Sequence, residues 1–187
     1  PYHLLMVSEE LRPQVLTKKD LEAVGAFLNP QSKVCSPQSY LAFYNSWSAA
    51  ATVNHMHFQL FEGPAPIQGF GLDVAETGVQ FVANYPADNI VFDAEDVDAV
   101  WRAVRRLIAL NWPHNILFSP THTYLFPRNQ NPAKNGKEIY GEEPGGIEYA
   151  GIFIAYNRQT FDALTLPKIH ELLAVTTARA PLNEPEP

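Results

Sequence analysis

The chain has one cysteine, Cys35, among 187 residues. That excludes an intramolecular disulfide and any zinc site built on several cysteines, and it fits a reducing, cytoplasmic compartment. No apolar run approaches the roughly 20 residues of a membrane span, and no signal-peptide pattern is present. Positive charge is scarce: 13 Lys and Arg stand against 20 Asp and Glu, a formal charge of −7. Affinity for nucleic acid or anionic membranes needs clustered positive charge, so neither is expected as a partner. From Val34 to Trp101 there is no Lys or Arg at all. A phosphate bound by that stretch must rely on backbone N–H groups, imidazoles, amides or hydroxyls, or on cations brought in from elsewhere. An initiator Met is also missing. "PYHLLMV" reads as a buried strand already under way, so the chain is expected to be a processed or partial version of a longer one.

What is present is a globular composition, 46% hydrophobic and 12% aromatic, with enough length for one domain with a real core. "LTKKDLEAVGAFL" has Thr17 as N-cap, Asp20 in the first turn and Leu21, Val24, Phe27 and Leu28 as an apolar stripe, so a helix is expected. "NPQSKVCSPQ" is a loop. "SYLAFYNS" and "TVNHMHFQLFE" read as strands of a hairpin turning near Trp47–Ala49, and "GPAPIQGFG" as a second loop. "GVQFVANYP" and "NIVFD" follow as strands. "AEDVDAVWRAVRRLIALN" is the clearest helix, with Val97, Val100, Trp101, Val104, Leu107 and Ile108 on one face and Arg102, Arg105 and Arg106 on a solvated one. "NILFSP", "TYLFPR" and "YAGIFIAYN" are expected strands, and "LPKIHELLAVTT" a last helix. Many strands, few helices and hairpin-like connections point to an α+β domain on an antiparallel sheet with flanking helices. The domain is expected to span residues 1–177, with 178–187 a flexible tail.

The segment "TVNHMHFQLFEG" alternates His55, His57 and Gln59 with Met56, Phe58 and Leu60. Period two places the polar three on one strand face and the apolar three in a core. Three readings compete. The first is a plain strand with a polar face. The second is a metal clamp, since "HMHFQLFEGPAPIQG" fits the spacing of a cupin's first motif, with His55, His57 and Glu62 as ligands. Such a site needs a second motif around a distant histidine, and His114, His122 and His170 lack that context. The third is a nucleophilic histidine. A ring nitrogen attacks phosphorus well when the other nitrogen is held by a hydrogen bond that fixes the tautomer.

"YNSWSAAATVNHMHFQLFEG" resembles the histidine-triad (HIT) superfamily in its nucleotidyltransferase/phosphorylase branch, nearest to the GDP-L-galactose and GDP-D-glucose phosphorylases. "HLLMV" with "RPQVLTKKDL", "GVQFVANYPADNIVF", "PHNILFSPTHTYLFPR" and "IEYAGIFIAYNRQTF" resemble later and earlier segments of that family in the same order, so the likeness covers most of residues 1–177. Three departures stand out. The family's long region before "PYHLLMV" is absent here, Ser48 stands where a glycine is usual, and Arg128 where plant-like members have glutamine.

The resemblance implies a HIT-like sheet and a two-step transfer. His57 would attack the α-phosphate of a nucleoside diphosphate-sugar, with GDP-hexose favoured, and inorganic phosphate would then take the nucleotide. His55 would orient His57 or touch phosphate. Gln59 replaces the third histidine of hydrolytic relatives. An amide does not titrate, so it suits transfer between phosphates better than hydrolysis. Asn45, Ser46, Thr52 and Asn54 are candidate uncharged phosphate or backbone-orienting donors. Arg128 is the first-choice cation, ahead of Arg12 and Arg158; His3 and Glu148 also match family positions, with His3 a candidate site lining. The expected partners are the nucleotide substrate and phosphate, with a homodimer as the superfamily's tendency. No metal or other cofactor is implied. The alternatives are a dinucleoside polyphosphate phosphorylase and a catalytically silent nucleotide-binding domain.

Overall fold

Apolar runs without polar alternation need burial on both faces, and three of them form the middle of the structure. In the computed structural model, which describes residues 3–29, 40–155, 157–180 and 182, these are β2 (Tyr40–Asn45), β7 (His114–Phe118) and β8 (His122–Pro127). Beyond β2 lie β3 (His57–Glu62) and β1 (His3–Val7). Beyond β8 lie β6 (Ile90–Asp93), β5 (Gln80–Val82) and β4 (Leu72–Val74). The described strands form one eight-stranded sheet in the order β1-β3-β2-β7-β8-β6-β5-β4, antiparallel at every pairing. With its flanking helices this is the α+β architecture that the sequence predicts.

One face of the sheet is covered by α1 (Lys18–Leu28) and α2 (Val97–Ala109). Leu21, Val24 and Leu28 of α1 and Val100, Val104 and Leu107 of α2 close on Ala42, Tyr44, Met56, Phe58, Leu60, Ile116 and Leu125. A fully buried side chain of this size contributes about 2–3 kcal/mol through apolar burial. Asp20 accepts the Thr17 N–H at 2.8 Å, so the residues expected at the start of α1 do cap it. The other face carries the four-residue turns α3 (Lys137–Tyr140) and α4 (Gly146–Tyr149) and the helix α6 (Leu166–Thr176), while α5 (Arg158–Ala163) has no buried residue. Here Leu41, Phe43, Leu117, Tyr124 and Phe126 pack with Tyr149, Ala150 and Leu173.

Several expectations are corrected. β1 is not buried: it is an edge strand that pairs with β3, and Leu4, Leu5 and Val7 are about half exposed. Residues 149–155, in the segment "YAGIFIAYN", do not form a strand. Tyr149 closes the helical turn α4 with Ala150 as its C-cap, both packed in the second core, and Gly151 at φ +92° turns the chain out of it. Arg106 is buried rather than solvated, because it sits one turn from Ala103 at the margin of the face that packs on the first core. β2 and β3 do pair antiparallel, from Tyr40↔Glu62 to Phe43↔Gln59. Their connection, though, runs from 46 to 56 rather than turning at Trp47–Ala49 alone. Ala180 and Leu182 pack against the first core. Cys35 and most of the loop around it lie outside the described residues.

Candidate functional site

β3 starts at His57, so His55 stands just ahead of the strand rather than on its face. Met56, Phe58 and Leu60 are buried in the first core, as the alternation predicts. His57 and Gln59 are half-buried and point to the opposite side of the sheet. The register places Val7 beside His57, Leu5 beside Gln59 and His3 beside Phe61 on that same side. His3 is therefore on the site face but about 13 Å along the strand from His57.

Two backbone carbonyls set the histidine tautomers. His57 Nδ1 lies 2.7 Å from the His55 carbonyl oxygen. A carbonyl only accepts, so Nδ1 carries the proton, and in the neutral ring Nε2 keeps the lone pair. His55 Nε2 lies 2.9 Å from the Ser8 carbonyl oxygen and is likewise the protonated nitrogen of its ring. Both histidines are thus oriented by main-chain groups.

The chain between β1 and α1 wraps the backbone of this motif. Ser8 N–H donates to the Met56 carbonyl and Met56 N–H to the Arg12 carbonyl, each at 3.0 Å. Gln14, 1% exposed, donates from Nε2 to the carbonyls of Asn45 and His57 at 3.1 Å. Its Oε1 accepts the His57 N–H at 2.9 Å. Arg12 itself is paired with Asp20 and bonded to Ser8 Oγ.

The proposed phosphate donors fall into two groups. Asn45, Ser46 and Arg128 are buried and engaged with protein. Asn45 Oδ1 accepts from Asn115 Nδ2 at 2.7 Å and from the Gly146 N–H at 2.8 Å. Asn115 also donates to the Ala49 carbonyl at 2.8 Å, which pins the loop after β2. Ser46 Oγ accepts the His114 N–H at 2.8 Å. Arg128, 3% exposed, donates to Asn115 Oδ1, the carbonyls of Pro144 and Thr176, and Glu143, and lies 5.1 Å over the Tyr149 ring. An Arg128–Asn115–Asn45 relay therefore runs beneath α4 to the end of β2. Thr52 and Asn54 are exposed, and Asn54 Oδ1 accepts the Gln14 N–H at 3.0 Å. Arg158 is exposed and pairs with Asp162.

Between these, Ser48 and Ala50 adopt φ values of +62° and +67°. These belong to the left-handed region that favours glycine, and such strain concentrates at functional loops. Glu148 accepts the Gly145 N–H at 2.8 Å and the Tyr140 hydroxyl at 3.2 Å, and burial pushes its carboxyl up to about 7. Gly145 and Gly146 lie so close to Asn45 that a Cβ on either would meet its amide at 3.2 Å.

Sequence reasoning missed Gln14, Asn115 and the Gly145–Gly146 approach. The glutamine in "RPQV" carries no local signal of this role, because the groups it bridges lie far away in sequence. Among the described residues, no three His, Cys, Asp or Glu side chains converge as a metal site, and no helix is long and apolar enough to cross a membrane. A cavity of about 1010 Å³ lies between β5, β6, α2 and residues 178–180 and 182, and neither His55 nor His57 lines it. Gln59 is not among the residues that line it either.

The family model for GDPGP1-like C-terminal domains matches residues 65–180, a segment that begins just after β3. No curated protein matches significantly. Among solved structures, yeast Ap4A phosphorylase Apa2 in complex with Ap4A superposes with a TM-score of 0.70 at 19% identity, over 94% of this chain and 69% of that one. The same yeast enzyme without that ligand gives 0.70 at 18%, over 94% and 67%. In complex with AMP it gives 0.69 at 21%, over 94% and 68%. At these identities the likeness is one of fold.

Proposed function

Because the chain belongs to the family of GDPGP1-like C-terminal domains, we propose that it is a nucleotidyl-transferring phosphorylase with His57 as its nucleophile. The observation that carries this reading is the 2.7 Å contact from His57 Nδ1 to the His55 carbonyl. It leaves Nε2 of the half-buried His57 as the lone-pair atom, and it stabilises the cation that forms when Nε2 bonds to phosphorus. Nε2 attacks the α-phosphorus of a nucleoside diphosphate-sugar. The N–P bond forms, the P–O bond to the β-phosphate breaks, and the sugar 1-phosphate leaves. Inorganic phosphate then attacks the same phosphorus, the N–P bond breaks, and a nucleoside diphosphate is released. GDP-hexose is the favoured substrate, on the sequence resemblance.

Neither step needs a proton from the enzyme, since leaving group and acceptor are both phosphates. Gln59 fits that demand as a non-titrating hydrogen-bonding group beside His57. Thr52 and Asn54, exposed in the adjoining loop, and backbone N–H groups supply uncharged contacts to the phosphates. Arg128, Asn45 and Ser46 serve as the scaffold that holds this loop. The likeness to a yeast Ap4A phosphorylase favours a second reading, in which the substrate is a dinucleoside polyphosphate and the chemistry is the same.

The test is incubation with labelled GDP-hexose, other nucleotide sugars and Ap4A, each without acceptor. The expected result is acid-labile, base-stable label on the protein, absent from a folded His57→Ala variant and discharged by phosphate. Which nucleotide labels the protein decides between the two substrates. Binding without label from any of them would sink the reading in favour of a silent nucleotide-binding domain.

A further inference from the structure

Successive residues of a strand aim their N–H and C=O groups to opposite sides. Met56 spends its pair on Ser8 and Arg12, on the β1 side. His57 must then aim its pair at β2. The β2–β3 register closes at Phe43↔Gln59, and one rung further Asn45 and His57 would face each other. That rung is occupied instead by the Gln14 side chain. Its Nε2 donates to both facing carbonyls, Asn45 O and His57 O, and its Oε1 accepts His57 N–H. A side-chain amide has the same donor and acceptor as a peptide unit, so it substitutes for the missing ladder bonds while holding the two backbones apart.

We infer that Gln14 is a positioning residue for His57: its amide wedges β2 from β3 and fixes the His57 peptide so that the imidazole Nδ1–H stays on the His55 carbonyl and Nε2 stays free. The assignment rests on His57 being the nucleophile. The hydrogen bonds from Gln14 go to the backbone of His57, so it acts through both ends of that residue. It is in turn held rigidly, since Tyr44 Oη donates to its carbonyl at 3.0 Å and its N–H donates to Asn54 Oδ1 at 3.0 Å. Four hydrogen-bonding groups, two main-chain and two side-chain, are therefore used at one buried residue outside β3. Packing alone does not require this, because a leucine or methionine of similar volume would fill the same space without leaving an amide to satisfy.

The test compares wild type with Gln14→Met, a near-isosteric change that removes all three side-chain bonds. Two measurements are made on each. The first is the His57 tautomer, from the imidazole nitrogen shifts of uniformly 15N-labelled protein. The second is the single-turnover rate of protein labelling by the nucleotide that labels wild type, alongside that nucleotide's Kd. Wild type is expected to show the Nδ1–H tautomer. Gln14→Met is expected to show a mixture of tautomers and to label about 10–100-fold more slowly, with Kd changed less than about threefold; a residue that only stabilises the fold would not produce that split. Retention of the single tautomer and of the wild-type labelling rate in Gln14→Met would overturn the inference. Absence of label in wild type would instead defeat the proposed function, while the tautomer measurement would still judge the wedge. Should Gln14→Met fail to fold, Tyr44→Phe loosens the same residue by removing one hydroxyl, and it must shift the tautomer in the same direction or the inference fails.

Discussion

Gln59 and Arg128 show how far a side chain's environment decides its role. Gln59 is half-buried on the face that carries His57, directly opposite Leu5 of β1 and Phe43 of β2 in the register. An amide there can hold a phosphate oxygen but cannot take a proton from water. A histidine at the same place can act as general base, and such groups are worth about 10²–10⁴-fold when well placed. Gln59→His is therefore expected to accelerate loss of the nucleotidyl label in phosphate-free buffer by at least about tenfold. The product should be the nucleoside monophosphate rather than the diphosphate, which chromatography of released label would show. An unchanged rate of spontaneous loss would mean that position 59 does not set the choice between transfer and hydrolysis. Arg128 makes the opposite point. A guanidinium 3% exposed, with four protein acceptors and an aromatic face beneath it, is a structural cation, and its placement beside Asn115 is what ties α4 to the end of β2.

At the scale of elements, helix and strand identities were legible wherever periodicity was strong. α1, α2 and α6 fall where their apolar stripes put them, and "HFQLFE" is a strand with Phe58 and Leu60 inward. Legibility failed where tertiary contacts overrode local pattern. The alternation "HMH" extends the strand pattern back to His55, yet Met56 bonds to both Ser8 and Arg12 ahead of β3, so only His57 of the two histidines stands in the strand. Likewise "IEYAGIF" has strand-like composition, but the close approach of Gly145 and Gly146 to Asn45 and the stacking of Tyr149 on Phe126 at 5.3 Å favour a single helical turn. Gln14 and Asn115 were invisible for the same reason: a buried amide bridging distant segments has no local signature. The junction of α3 and α6 depends on such a contact too. Gly136 has φ +84°, and a Cβ there would run into Leu172, which is fully buried and cannot yield. Gly136→Ala combines left-handed strain with overpacking and is expected to cost about 2–4 kcal/mol in urea unfolding. A loss under about 0.5 kcal/mol would show that α3 is not held against α6 as described.

For the molecule as a whole, two buried titratable groups on opposite faces of the sheet act against each other. His114, 2% exposed beside Tyr44, donates from Nδ1 to the Trp112 carbonyl at 2.9 Å, and its Nε2 has no hydrogen-bond partner among the described residues. Burial pushes its imidazole down from 6.5 to about 4. The unfolded chain then binds the extra proton between those values, so His114 contributes stability above pH 6.5 that is lost as the pH falls toward 4. Glu148 runs the other way. Burial raises its carboxyl from 4.5 to about 7, the folded state binds the extra proton, and its contribution is full below pH 4.5 and lost as the pH rises through 7. Each effect is worth about 3 kcal/mol at its full extent, and between pH 4.5 and 6.5 the two slopes have opposite sign and similar size. Wild-type stability should therefore change little in that window on their account. His114→Phe removes the acid-side loss and should become less stable as pH rises from 4.5 to 6.5, by about 2–3 kcal/mol. Glu148→Gln should become more stable over the same interval by a similar amount. Urea unfolding at half-unit pH steps reads both slopes directly. If the two variants sloped in the same direction, at least one of these groups would have to reach solvent, and one of the two cores that sandwich the central strands would be more open than this structure has it.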